Sequence, residues 1–293
     1  MKIAYIDHSF HDSTLETINQ AKEIIHEYRL QGFSLTLRQL YYQMVARDLI
    51  TNNVRSYKRL GNTIANARLA GLVDWYSIED RTRELKGNSH WNTPGQIVQS
   101  AVASYRIDKW ENQPHRVEVW IEKDALVGVI RGICSDLDID YFSCRGYTSA
   151  SEMWRAGRRL ARYMEKGQDP VILHFGDHDP SGIDMTRDIG DRLEMFAEWP
   201  VEVERVALNL DQIDEYAPPP NPAKLSDSRA KSYITVYGYD SWELDALEPS
   251  VMVELIEQEV LSIRDESLWS EAVEKEEAHI ALLKEAAESL SLD

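Results

Sequence analysis

The sequence predicts an α/β fold, and three observations predict it. Between residues 115 and 210, short apolar runs alternate with stretches of helical period, which signals β-α-β crossovers and a mainly parallel sheet with flanking helices. Residues 1–90 read mainly as helices, and the chain after Pro249 turns helical again almost to its end. With 293 residues, 43% hydrophobic and 28% charged, there is chain enough for one or two domains with a substantial core.

The first block has amphipathic helical runs at 13–28, 36–48 and 56–70, followed by an extended apolar segment at 72–78. Three helices with a trailing extended segment suggest a winged-helix or helix-turn-helix unit. In the second block, strands are expected at 117–121, 140–143, 171–175 and 201–208, and helices at 124–137, 150–166 and 182–196. Ala217-Pro218-Pro219-Pro220-Asn221-Pro222 can continue neither a helix nor a central strand and reads as a stiff loop. The expected units are therefore 1–90, 110–250 and an acidic helical tail at 251–293. No internal repeat is evident.

A net charge of −18 argues at first against a nucleic-acid partner. Its distribution weakens that objection. Residues 1–90 hold 12 Lys+Arg against 10 Asp+Glu, whereas residues 240–293 hold 3 against 16, so most of the excess lies in the last block. Two cysteines, Cys134 and Cys144, make neither a disulfide framework nor a zinc cluster, and suggest reduced thiols in a cytoplasmic protein. No signal-like segment and no stretch of membrane-spanning length is present, so no membrane partner is expected.

The chemistry concentrates where strands end. Ile172-Leu173-His174-Phe175-Gly176-Asp177-His178-Asp179-Pro180-Ser181-Gly182 closes an apolar run with two carboxylates one residue apart. His115 to Ile121 is another strand-like run, and it ends in Glu122. Ligands of open α/β sheets gather at carboxyl ends of strands, and Glu122, Asp177 and Asp179 all fall there. Carboxylates in that number suit Mg2+, which takes few protein oxygens and leaves positions for water and phosphate. The bland alternative is two helix caps and a surface glutamate. His174 and His178 read as packed histidines, since the donor set is otherwise hard oxygen, and Asp184 reads as helix surface.

On the second helix Arg38 and Tyr42 stand four residues apart, on one face. A tyrosine nucleophile ionises poorly at neutral pH and needs cationic help, which Arg38 is placed to offer. A packing role for Tyr42 is the plainer reading of that spacing taken alone. A third feature is a stripe of Arg155, Arg158, Arg159 and Arg162 on one helix, suited either to tracking DNA phosphates or to pairing with this protein's many carboxylates.

In this order the segments resemble one family, the A subunit of type IIB topoisomerases (topoisomerase VI) and its relative, the meiotic break-forming transesterase. Arg38-Gln39-Leu40-Tyr41-Tyr42 resembles the family's nucleophile helix, Glu122-Lys123-Asp124-Ala125 its glutamate motif, and Gly176-Asp177-His178-Asp179-Pro180-Ser181-Gly182 its Gly-Asp-x-Asp-Pro-x-Gly signature. Arg145-Gly146-Tyr147 is similar to the Gly-Tyr between them. The resemblance covers roughly residues 34–210. It implies a winged-helix domain joined to a Rossmann-like Toprim domain. It further implies Mg2+ held by Glu122, Asp177 and Asp179, and attack by Tyr42 on double-stranded DNA to leave a 5′-phosphotyrosyl link. The active unit would be a homodimer in which each tyrosine faces the other protomer's metal site, in a cytoplasmic, nucleoid-associated protein. With about 35 residues before the tyrosine helix and no ATP-binding segment, the chain is closer to short stand-alone Mini-A members than to those that engage an ATPase B subunit. A Toprim nuclease using metal-activated water, without a covalent intermediate, is the alternative.

Overall fold

The computed structural model describes residues 2–79 and 88–290; residues 80–87, in the first expected unit, and 291–293, at the end of the third, lie outside the described residues. The chain opens with α1 (Asp12–Leu30), β1 (Leu35–Thr36), α2 (Leu37–Ala46), α3 (Val54–Leu69) and β2 (Ile78–Glu79). Thr36 starts α2 through a capping box: its hydroxyl takes the Gln39 N–H while Gln39 Oε1 takes the Thr36 N–H. Asn53 caps α3 by taking the Ser56 N–H on its side-chain oxygen, without the reciprocal bond. The apolar faces of these helices close one core around Ile18, Tyr28, Leu40, Met44 and Ile64. The extended segment expected at 72–78 is mostly turn. Only Ile78 and Glu79 pair, in parallel with Leu35 and Thr36, because Asp74 gathers the Tyr76 N–H and the Ser77 hydroxyl into a turn.

After α4 (Pro94–Ser104), where the sequence predicts no element, come β3 (His115–Ile121), α5 (Val127–Asp136), β4 (Asp140–Ser143), α6 (Ala150–Glu165), β5 (Asp169–Phe175), α7 (Pro180–Ala197) and β6 (Glu202–Ala207). The four strands form a parallel sheet in the order β4-β3-β5-β6. Its central strands are buried on both faces, as near-continuous apolar runs require. The exception, Glu118 in mid-β3, is buried because Arg159 of α6 grips it with two hydrogen bonds of 2.8 Å and Trp120 Nε1 donates a third.

Helices α6 and α7 cover one face of the sheet and approach closely at Gly157. A Cβ there would lie 2.5 Å from Phe196 Cβ and 2.9 Å from the Phe196 carbonyl carbon. Gly157→Ala must therefore push the helices apart, with an expected cost of about 1–3 kcal/mol, read as a lowered midpoint in thermal unfolding. An unchanged midpoint would mean that this contact relaxes freely.

The chain continues through α8 (Leu210–Tyr216), β7 (Asn221–Pro222), α9 (Ala230–Tyr237) and β8 (Asp240–Ser241), with β7 and β8 antiparallel. A 3-10 turn, Leu244–Ala246, leads into α10 (Pro249–Ile263) and α11 (Glu266–Leu290). The segment expected as a tail is packed. Met252, Ile256 and Val260 of α10 enter the sheet core, while on α11 His279 meets the Tyr105 hydroxyl and Glu276 takes the Ile107 N–H and Lys109. The turn joins the two cores, with Leu244 in the sheet core and Ala246 in the helical one. Among the described residues no helix is long and apolar enough to cross a membrane.

Candidate functional site

Because β4 lies on one side of β3 and β5 on the other, the chain reverses direction across the sheet between β3 and β5, and beyond their carboxyl ends is where open α/β sheets of this topology form a crevice. Glu122 follows β3, and Gly176 and Asp177 follow β5. The Glu122 N–H donates to Phe175 O at 2.8 Å, and Glu122 Oε2 accepts the Asp177 N–H at 2.8 Å. Asp179 caps α7, its Oδ1 taking the Gly182 N–H at 2.6 Å and the Ser181 hydroxyl at 2.9 Å, with Pro180 in the first turn. Gly182 is needed for close approach: a Cβ would sit 2.2 Å from the Asp177 carbonyl oxygen.

The loop after β5 is tied to a distant segment. His178 and Trp242 exchange both backbone hydrogen bonds, at 2.8 and 2.9 Å, and Asp177 Oδ1 accepts the Leu244 N–H at 2.8 Å. That pairing delivers Glu243 and Asp245 to the crevice. The ligand atoms of Asp177, Glu243 and Asp245 lie within 4.8 Å of one another, so this buried acidic triad could hold a metal ion. Of the three carboxylates expected from the sequence, only Asp177 belongs to this group. Glu122 and Asp179 flank it without closing to the same distance among the described residues.

Two cations serve the triad. The Lys123 ammonium lies 2.7 Å from Asp177 Oδ1 and also contacts Glu243 and Asp245. Arg38 of α2 contacts Glu243 and reaches Asp245 Oδ2 at 2.6 Å. A third cation, Arg205 of β6, holds backbone: it donates to the carbonyls of Gly176, Asp177, Gly182 and Leu208 and to the Thr186 hydroxyl. Burial pushes the Asp177 carboxyl up to about 7, against the pull of Lys123, and raises Glu122 as well. Burial opposes the Lys123 charge, but Asp177, Asp245 and Glu243 outweigh it and raise its pKa.

Tyr42 stands at the other end of this chain of charges. It is 5% exposed, and the Arg38 guanidinium lies 5.8 Å from its ring centroid. Arg38 and Tyr42 therefore share a helix face as their spacing requires. Tyr42 borders a cleft of about 450 Å³ with Arg38, Tyr41, Asn52, Tyr57, Asn221 and Glu243. Burial pushes the Tyr42 phenol above the usual tyrosine range and Glu243 adds to this, while Arg38 and Asn221 pull it back.

The arginine stripe on α6 is largely committed to carboxylates. Arg159 grips Glu118, Arg155 pairs with Glu152, Arg158 lies 3.9 Å from Glu198, and Arg162 donates to the Arg158 carbonyl. The histidines are packed: His174 Nδ1 is 2.8 Å from the Thr186 hydroxyl, and His178 Nδ1 is 2.8 Å from that of Tyr233. Asp184 does more than face solvent, taking the Tyr147 hydroxyl at 2.7 Å and Arg229 at 2.8 Å.

Sequence reasoning missed Glu243, Asp245, Lys123 and Arg205. Trp242-Glu243-Leu244-Asp245 carries the same one-residue carboxylate spacing as Asp177-x-Asp179, whereas Arg205 stands in a strand with two glutamates, Glu202 and Glu204, and carried no local signal. No family model, curated protein or solved structure matches this chain.

Proposed function

We propose that this protein is a magnesium-dependent DNA-cleaving transesterase with Tyr42 as its nucleophile. One observation carries the reading: the Arg38 guanidinium lies over the ring of a buried tyrosine on a separate helix, and ion pairs run unbroken from Arg38 through Glu243, Asp245 and Lys123 to Asp177 at the sheet's crevice. A purely structural tyrosine has no need of that connection.

The donor set fits a hard divalent cation. Glu122, Asp177, Asp179, Glu243 and Asp245 offer only oxygen, and these five carboxylates face three cationic side chains, leaving net negative charge. Asp177, Glu122, Asp179, Glu243 and Asp245 are the carboxylates that would hold the ion. When bound, the metal supplies positive charge to a phosphate oxygen. The chain's own groups do the rest. Arg38 favours negative charge on Tyr42 Oη, and Lys123 keeps Asp177, Glu243 and Asp245 gathered. As the Oη–P bond forms, the P–O3′ bond breaks; the phenolic proton leaves to water and the 3′-oxygen takes one up. One phosphodiester is exchanged for another, so resealing needs no ATP. The partner is double-stranded DNA, and the resemblance implies a homodimer that cuts both strands.

The test uses supercoiled plasmid with protein and Mg2+, stopped with detergent and run before and after protease digestion. Broken DNA that enters the gel only after proteolysis, and that chelator abolishes, is the expected result. Breaks that carry no protein would assign the crevice to hydrolysis by water instead.

A further inference from the structure

The helical unit that carries Tyr42 is fastened to its own chain's crevice at four places. Arg38 of α2 reaches Asp245 Oδ2 at 2.6 Å and also contacts Glu243. The Tyr28 hydroxyl of α1 donates to the Glu248 carboxylate at the start of α10. Asn52, in the turn between α2 and α3, donates through Nδ2 to the Pro220 carbonyl at 3.1 Å and to Asn221 Oδ1 at 2.9 Å. Ala246 is buried in the helical core, while Leu244, two residues earlier, is buried in the sheet core. The Asp245 side chain between them is fully buried, so Arg38 cannot leave it without stranding a carboxylate that Lys123 alone would face.

Those ties fix what Tyr42 faces. It is covered almost entirely by its own chain, and it lines a cleft of about 450 Å³ together with Glu243. Glu243 is in turn one of the three carboxylates whose ligand atoms lie within 4.8 Å of one another. One cleft of this chain therefore runs from the tyrosine to a wall of the acidic triad, and its volume is of the size that small-ligand sites have. A tyrosine serving the metal site of a second protomer, as the resemblance implies, would have to turn its hydroxyl outward and give up the hold of Arg38 on Asp245. We propose instead that Tyr42 serves the metal site of its own chain, so that a single protomer holds a complete site and nicks one strand of duplex DNA. In that step the Tyr42 Oη–P bond forms as the P–O3′ bond breaks, the phenolic proton leaves to water and the 3′-oxygen takes one up. A homodimer then carries two independent nicking sites, and a double-strand break is the sum of two separate cuts.

This inference rests on the transesterase reading, and two readouts separate their failures. The first co-expresses two inactive variants, Tyr42→Phe and Asp177→Asn, and incubates the mixture with supercoiled plasmid and Mg2+. A tyrosine that serves its own chain leaves no intact site in any pairing, so the mixture should form no more protein-linked DNA than either variant alone. A tyrosine that serves the partner gives every mixed dimer one intact site. Linked DNA would then return to about a quarter of the wild-type amount, and that return overturns the proposal. Glu122→Gln takes the place of Asp177→Asn if the latter does not fold. The second readout needs no DNA: tyrosine is labelled with carbon-13 at Cζ, the Tyr42 signal being the one lost in Tyr42→Phe, and Mn2+ is added to broaden signals near the metal site. Labelled wild type in excess unlabelled Asp177→Asn should keep the broadening of Tyr42, and labelled Asp177→Asn in excess unlabelled wild type should lose it. The reverse pattern, or an unbroadened Tyr42 in wild type, overturns the proposal. Absence of protein-linked DNA from wild type overturns the transesterase reading, and the Mn2+ experiment then still decides whether Tyr42 and the carboxylates of one chain form one site.

Discussion

Replacing Tyr42 with phenylalanine is expected to abolish protein-linked DNA completely while leaving a folded protein. The ring stays, so the packing against Tyr41 and under Arg38 survives. The hydroxyl oxygen that would bond phosphorus is gone, and no neighbouring group replaces it at that position. The cost to stability is that of removing one largely buried hydroxyl, about 1–3 kcal/mol. Tyr41→Phe supplies the contrast. It strips a partner from Asn52 Oδ1 and from the Asn53 N–H, which approaches the Tyr41 oxygen to 2.7 Å. It should therefore lower stability by a similar amount and yet retain the covalent product. The measurement is a 5′-labelled duplex incubated with Mg2+ and resolved on a denaturing gel, with thermal unfolding run in parallel. Adduct that persists in Tyr42→Phe, or that vanishes only in Tyr41→Phe, would sink the assignment of the nucleophile.

Lys123→Met should produce the largest loss of stability of any single change in the crevice. Its ammonium is the cation common to Asp177, Glu243 and Asp245, and its side chain is only 15% exposed. Removing it leaves buried carboxylates facing one another with Arg38 as their remaining close partner, a change expected to cost about 3–5 kcal/mol. Met keeps much of the apolar stem, so the effect reports charge rather than volume. The three carboxylates would then form a cage of oxygen donors without an internal cation. Millimolar Mg2+ or Mn2+ should therefore raise the unfolding midpoint of Lys123→Met by more than that of wild type. A variant as stable as wild type, or one blind to divalent cations, would show that the ammonium does not hold this cluster together.

Much of the scaffold was legible because its signals are local. The apolar run ending at Phe175 and the Asp-Pro start of the next helix marked β5 and α7 from neighbouring residues alone, and the expected strand at 140–143 coincides with β4. The alternation of strand and helix required parallel pairing, and Glu122 and Asp177 could be placed at strand ends from chain order. The four-residue spacing of Arg38 and Tyr42 carried their shared face. Where local signals were weak, the reading stopped short: α4 was not foreseen, and the segment at 72–78 became mostly turn once Asp74 captured its backbone.

The sequence by itself thus determined an α/β chain with a parallel sheet, carboxylates at its strand ends and a tyrosine–arginine pair on a separate helix. Only the tertiary structure decided which groups meet. Glu243 and Asp245 reach Asp177 because Trp242 pairs with His178 through backbone atoms, and backbone pairing carries no residue-type signature across such a separation. Tertiary contacts likewise committed Arg159 to Glu118, turned the proline-rich segment into the strand that carries Asn221, and set Lys123 among three carboxylates. The physical reason is the same in each case. Periodicity and capping are properties of a few consecutive residues, whereas an ion pair or an oriented amide depends on where the chain returns, and that is fixed by packing of the whole.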